Sequence, residues 1–137
     1  MARQFVIQMQ NHPGELAHLA RALAVRGIDI HNVSCVGHGP IACMITTTSD
    51  PEATRQVLHG LGHAFIEGDP IFVDVPDHPG GLAEVTERLA VAGVNIRGAL
   101  AVGRRPGVME MTFCVDDEAK AREVLGIEAT ELVGAGS

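Results

Sequence analysis

Two short stretches concentrate polar chemistry in this chain: Asn11-His12-Pro13-Gly14-Glu15-Leu16 and Asp77-His78-Pro79-Gly80-Gly81-Leu82. Each sets an oxygen acceptor ahead of a Pro-Gly turn and a run of helical periodicity. Backbone N–H groups at such a helix start can receive an anion, helped by the helix dipole. Gly14, Gly80 and Gly81 keep that backbone free of Cβ atoms. Farther along each stretch stand Asp29-Ile30 and Asn95-Ile96. Asn11, Asp29, Asp77 and Asn95 supply oxygen atoms that can accept from a cation. Each stretch thus holds one Asn and one Asp at these two places, in exchanged order. The plainer readings are that Asn11 and Asp77 are N-caps, that Pro-Gly is only a turn, and that Asp29 and Asn95 are solvated strand residues. His12 and His78 flank the turns, where they touch an anion or are simply exposed.

Other reactive side chains fall into no working constellation. His31, Cys35, His38 and Cys43 have the chemistry of a zinc site but lack a closely spaced ligand pair, so they read as strand and core residues and no metal is expected. The chain has no GxSxG elbow, phosphate loop with its lysine, or HExxH. No catalytic residue is therefore expected. Arg104-Arg105 reads as a solvated turn or a docking contact to an acidic partner. Met109, Met111 and Phe113 share a strand face and read as core or interface.

The elements that must position the loops are written twice. Leu23-Ala24-Val25-Arg26-Gly27-Ile28-Asp29-Ile30 returns as Leu89-Ala90-Val91-Ala92-Gly93-Val94-Asn95-Ile96, in the register that brings His12-Pro13-Gly14 onto His78-Pro79-Gly80. Phe5, Ile7 and Met9 alternate with Val6, Gln8 and Gln10, the period of a half-buried strand. Leu16, Leu19, Ala20 and Leu23 follow at helical spacing, and Gly27 ends that helix. A strand over 28–36, a turn at 37–40, a strand over 41–47, a helix N-capped by Asp50 with Pro51 behind it, and a strand near 64–67 complete the first copy. The second copy predicts strands at 71–75, 94–102, 108–115 and 129–133, with helices at 81–92 and 117–125. The expected fold class is α+β: two tandem ferredoxin-like βαββαβ lobes, residues 1–68 and 69–137, each with an antiparallel sheet covered on one face by helices. The short Gly68-Asp69-Pro70 join implies rigid packing of the lobes.

Composition narrows the partners. The formal net charge of −7 repels phosphate backbones, and without Trp or Tyr the chain lacks base-stacking platforms, so no nucleic acid is expected. No apolar stretch approaches a membrane span, and three scattered cysteines suggest reduced thiols. A cytoplasmic protein with no membrane partner is the expectation.

The duplicated stretch resembles the ACT domain family, whose signature is Asn/Asp-x-Pro-Gly-x-Leu followed by a helix and Gly-Val/Ile-Asn/Asp-Ile. Here those are Asn11–Leu16 with Gly27-Ile28-Asp29-Ile30, and Asp77–Leu82 with Gly93-Val94-Asn95-Ile96. The resemblance implies regulation by a small molecule, most often an amino acid. That ligand would sit between the Pro-Gly loop of one domain and the second strand of its neighbour. Asn11, His12, Pro13, Gly14, Glu15, Leu16, Asp29 and Ile30 would then line one site, and Asp77, His78, Pro79, Gly80, Gly81, Leu82, Asn95 and Ile96 the other. The loops would take the amino acid's carboxylate and the Asn/Asp oxygens its ammonium. Leu16, Ile30, Leu82 and Ile96 suit a modest side chain. Most such domains are fused to what they control, and this chain has no room for an enzyme or DNA-binding domain. The expected protein is a non-enzymatic regulatory homodimer without cofactor, relaying amino-acid occupancy to a regulated enzyme partner. The alternative is a ligand-free subunit docking on an amino-acid biosynthetic enzyme.

Overall fold

The computed structural model describes residues 3–127. They divide into two compact units with the boundary between Gly68 and Asp69. In the first unit, β1 (Gln4–Gln10) leads into α1 (Glu15–Val25), then β2 (Ile30–His38), β3 (Ile41–Thr48), α2 (Pro51–Leu61) and β4 (Phe65–Gly68). Its sheet has the order β2-β3-β1-β4 and is antiparallel throughout. The alternation in β1 sends Phe5, Ile7 and Met9 to the buried face, where Leu19 and Leu23 of α1 and Val57 and Leu58 of α2 meet them. Asp50 caps α2 by accepting from the Ala53 N–H at 3.0 Å, with Pro51 at the first helical position.

The second unit repeats the plan: β5 (Ile71–Pro76), α3 (Gly81–Val91), β6 (Ile96–Arg105), β7 (Val108–Val115) and α4 (Glu118–Leu125). Its described sheet runs β5-β7-β6. Ile71, Val73 and Val75 meet Val85 and Leu89 of α3, Ala121 of α4, and Met111 and Phe113 of β7. Met109 packs against this cluster, so the methionine stripe is core. The strand expected at 129–133 lies outside the described residues. The fold class is thus the expected one: α+β, with two ferredoxin-like antiparallel sheets each covered by helices.

Several boundaries differ from the sequence expectation, most of them by one or two residues. β2 starts at Ile30 because the Ile28 N–H is spent on the Leu23 carbonyl (3.0 Å) and the Asp29 N–H on Ser49 Oγ (2.9 Å). β2 also runs through His38, so its turn is only Gly39-Pro40. β6 likewise continues through Arg104 and Arg105, which are therefore strand residues and not the solvated turn expected for them.

Candidate ligand-binding site

Both Pro-Gly loops turn into their helices through a left-handed glycine, Gly14 at φ 90° and Gly80 at φ 89°. At such angles an L side chain is strained, so glycine at these two positions fixes how the chain enters α1 and α3. These glycines, and not Asn11 or Asp77, are the N-caps, and neither helix start has a side-chain cap. The Glu15 N–H reaches the His12 carbonyl at 3.4 Å and the Gly81 N–H the His78 carbonyl at 3.0 Å. The next N–H groups, of Leu16 and Ala17 and of Leu82 and Ala83, precede the first intrahelical bonds and are the orphan donors of a helix start. Leu16 and Leu82 are themselves 42% and 43% exposed, so both helix starts face solvent.

Each loop is anchored to the hairpin of its own sheet, but by different chemistry. The Asn11 N–H donates to the Pro40 carbonyl at 3.0 Å, and its side-chain Nδ2 donates to the Gly39 carbonyl at 2.9 Å. The amide lies over Gly37 so closely that a Cβ there would sit 2.6 Å from Asn11 Cγ. In the second unit the Asp77 N–H donates to the Gly107 carbonyl at 3.0 Å, while Arg104 Nη1 donates to Asp77 Oδ2 at 2.8 Å. The Asn/Asp exchange therefore has a local cause. A carboxylate at position 11 could not donate to a carbonyl, and an amide at 77 would forfeit the ion pair. Arg105 pairs with Asp74 and lies 3.7 Å from Glu110. The hydrogen bond to Asp74, reinforced by the charges of Asp74 and Glu110, raises the Arg105 pKa further above its ordinary value.

The histidines stay local. His12 Nδ1 lies 3.1 Å from the Pro13 carbonyl oxygen and its Nε2 lies 2.8 Å from Gln10 Oε1, with Glu15 Oε1 at 3.5 Å. His78 Nδ1 lies 2.9 Å from the Pro79 carbonyl oxygen. Both rings are exposed.

Asp29 and Asn95 stand at the other end of their sheets. Asp29 exchanges bonds with Ser49, and Asn95 takes the Asp116 carboxylate on its N–H at 2.9 Å. Both residues are exposed, and the following Ile30 and Ile96 are half-buried. Gln10, next to Asn11, pairs with Ile41, whereas Ile30, next to Asp29, pairs with Thr48. The strand between those levels is about 23 Å long at roughly 3.3 Å per residue. The second unit has the same arrangement, from Pro76↔Val108 to Ile96↔Val115. One unit therefore does not bring its loop acceptor and its strand acceptor together.

Several concavities are open within the units. One of about 280 Å³ in the first unit is bordered by Gln8, Gln10, Glu15, Ile41, Leu61 and His63, so Glu15 alone of the first loop's acidic or amide groups faces it. One of about 850 Å³ in the second runs between β5, α3 and α4 past Asp74, Glu84, Arg88, Val91 and Val124. Neither reaches Asp29 or Asn95. Among the described residues no three His, Cys, Asp or Glu side chains converge on a common point. Sequence reasoning missed Arg104; its opposite charge to Asp77 was visible, but the hairpin register that joins them was not.

The ACT domain family model matches residues 71–127. Prephenate dehydrogenase of Bacillus subtilis (strain 168) is 36% identical over 56 residues, which is 39% of this chain and only 15% of that protein's length. Among solved structures, protein BT0572 from Bacteroides thetaiotaomicron superposes with a TM-score of 0.70 at 23% identity, covering 90% of this chain and 85% of that one. The regulatory subunit of aspartate kinase from Thermus flavus superposes with a TM-score of 0.63 at 21% identity, covering 91% and 90%. At those identities the likeness is one of fold. Residues 71–127 thus match the ACT domain, and the first unit repeats the fold of that stretch.

Proposed function

We propose that the protein is a non-catalytic regulatory module that binds a free amino acid where ACT lobes meet and passes its occupancy to a partner enzyme. The observation that carries this reading is the pair of helix starts left uncapped by left-handed glycines, in a chain whose second unit matches the ACT domain. The solvent-facing N–H groups there suit a carboxylate. Exposed Asp29 and Asn95, at the far ends of the sheets, suit an ammonium brought by a neighbouring lobe. The fold likeness to a regulatory subunit of aspartate kinase supports a regulatory role and an enzyme partner. A ligand bridging two lobes shifts their arrangement only by binding one arrangement better than another.

A homodimer belongs to the same reading. β2 is a sheet edge with Val33 and Val36 50% and 69% exposed, the kind of strand that requires cover. Among the described residues no helix is long and apolar enough to cross a membrane. The competing reading, a ligand-free docking subunit, draws on the local satisfaction of Asn11 and Asp77 by their own hairpins. Dye-based thermal shift against the twenty standard amino acids separates the two. Selective stabilisation by one or a few supports the sensor, and twenty flat curves favour the docking subunit.

A further inference from the structure

We infer that the solvent-facing side of α1 docks on that of α3 in a second copy of this chain, through a basic stripe on one helix and an acidic stripe on the other. The two helices hold the same place in the repeat, and their exposed faces match almost residue for residue. Leu16, Ala17, Ala24 and Val25 of α1 stand where α3 has Leu82, Ala83, Ala90 and Val91, all of them exposed. Val25 and Val91 are 77% and 90% open to solvent. Helix propensity gives no reason to set a β-branched residue there. Charge is where the faces part. His18 and Arg21 of α1 are replaced by Glu84 and Glu87 in α3, again all exposed. None of these four side chains has a hydrogen bond or ion pair among the described residues.

His18, Arg21 and Val25 follow one another at helical spacing, as do Glu84, Glu87 and Val91, so each trio forms one stripe along its helix. Arg21 and Glu87 fall in the middle of their helices, so they come opposite each other whether the two helices run parallel or antiparallel. α3 also borders the groove of about 850 Å³ described above, where Glu84, Glu87 and Val91 stand beside apolar Val85, Ala92 and Val124. An incoming α1 sets its apolar positions against that lining and its basic positions against the two carboxylates. Arg88, the cation of α3, donates to the Val124 carbonyl of α4 instead of to either glutamate. Pairing α1 with α1 would set cation against cation, and α3 with α3 carboxylate against carboxylate, so the charges select the mixed pairing. Helices of 11 residues are about 16 Å long, so the contact is small and association through it depends on concentration. It uses helix faces and not the β2 edge, and it needs no ligand.

The test is sedimentation of the full chain at rising concentration, up to about 1 mM, at low and at high salt. Wild type is expected to self-associate, and more weakly at high salt. Arg21→Glu sets a carboxylate against Glu87, and Glu87→Arg sets a guanidinium against Arg21; each should weaken association about tenfold or more. Circular dichroism checks that these exposed substitutions leave the helices formed. The double variant Arg21→Glu/Glu87→Arg restores opposite charges and should associate within about threefold of wild type. An equimolar mixture of the two single variants should also associate more tightly than either alone. Absence of self-association, association indifferent to the single variants, or no recovery in the double variant (in the mixture, should the double variant fail to fold) would overturn the contact. The first of those outcomes leaves these faces to a different protein, and the second assigns self-association to another surface such as the β2 edge.

Discussion

Replacing Gly81 with alanine would put a methyl group 2.9 Å from the Pro76 carbonyl carbon, and closer still to its oxygen. An ordinary carbon–carbon contact is about 3.5–4.0 Å, so the backbone must yield by roughly 0.6–1.1 Å at least. Overpacking of this kind costs about 1–3 kcal/mol. The Pro76 oxygen also accepts the His78 N–H at 3.0 Å, and moving it away adds about 1 kcal/mol. Together Gly81→Ala should destabilise the second unit by about 2–4 kcal/mol, which lowers the Tm of a domain this small by at least roughly 8 °C. Thermal melts followed by helical circular dichroism measure it. The control is Glu15→Ala, the same position in the first unit, where a Cβ is already accommodated; it should change stability by less than about 0.5 kcal/mol. If Gly81→Ala melts within a degree or two of wild type, the close approach of loop and strand that shapes this site is refuted.

Three further outcomes follow from packing and charge. Leu23→Ala and Leu89→Ala, both at fully buried positions of α1 and α3, should each cost about 2–5 kcal/mol in chemical denaturation. Glu67 is held below the usual carboxylate range, first by the Arg55 hydrogen bond at 2.8 Å and also by Arg3. A depressed folded-state pKa contributes stability that is complete above the unfolded value of 4.5 and is lost as pH falls through the lower folded value; denaturation below pH 4.5 should therefore show an acid-dependent loss that Glu67→Gln reduces. Val36→Lys, on the exposed β2 edge, should shift sedimentation toward monomer if that edge joins two copies.

Local rules made much of the fold legible. Alternation in Phe5, Ile7 and Met9, helical spacing in Leu19 and Leu23, and the Asp50-Pro51 start of α2 all act within a few residues, and the structure follows them. Leu16 was expected in the helical stripe but is 42% exposed, in the first turn of α1. The site was less legible because its geometry depends on pairing between distant segments. No local rule says that Asn11 will bond Gly39, that Asp77 will meet Arg104, or that Asp29 lies a strand length from Asn11. The Asn/Asp exchange, suggestive of matched ammonium sites, turned out to follow what each hairpin offers its loop.

Calorimetric titration of the intact protein with each standard amino acid is the most direct measurement of the central claim. Saturable heat with one or a small related group is the expected result. Absence of saturable binding by any of them would contradict the amino-acid reading.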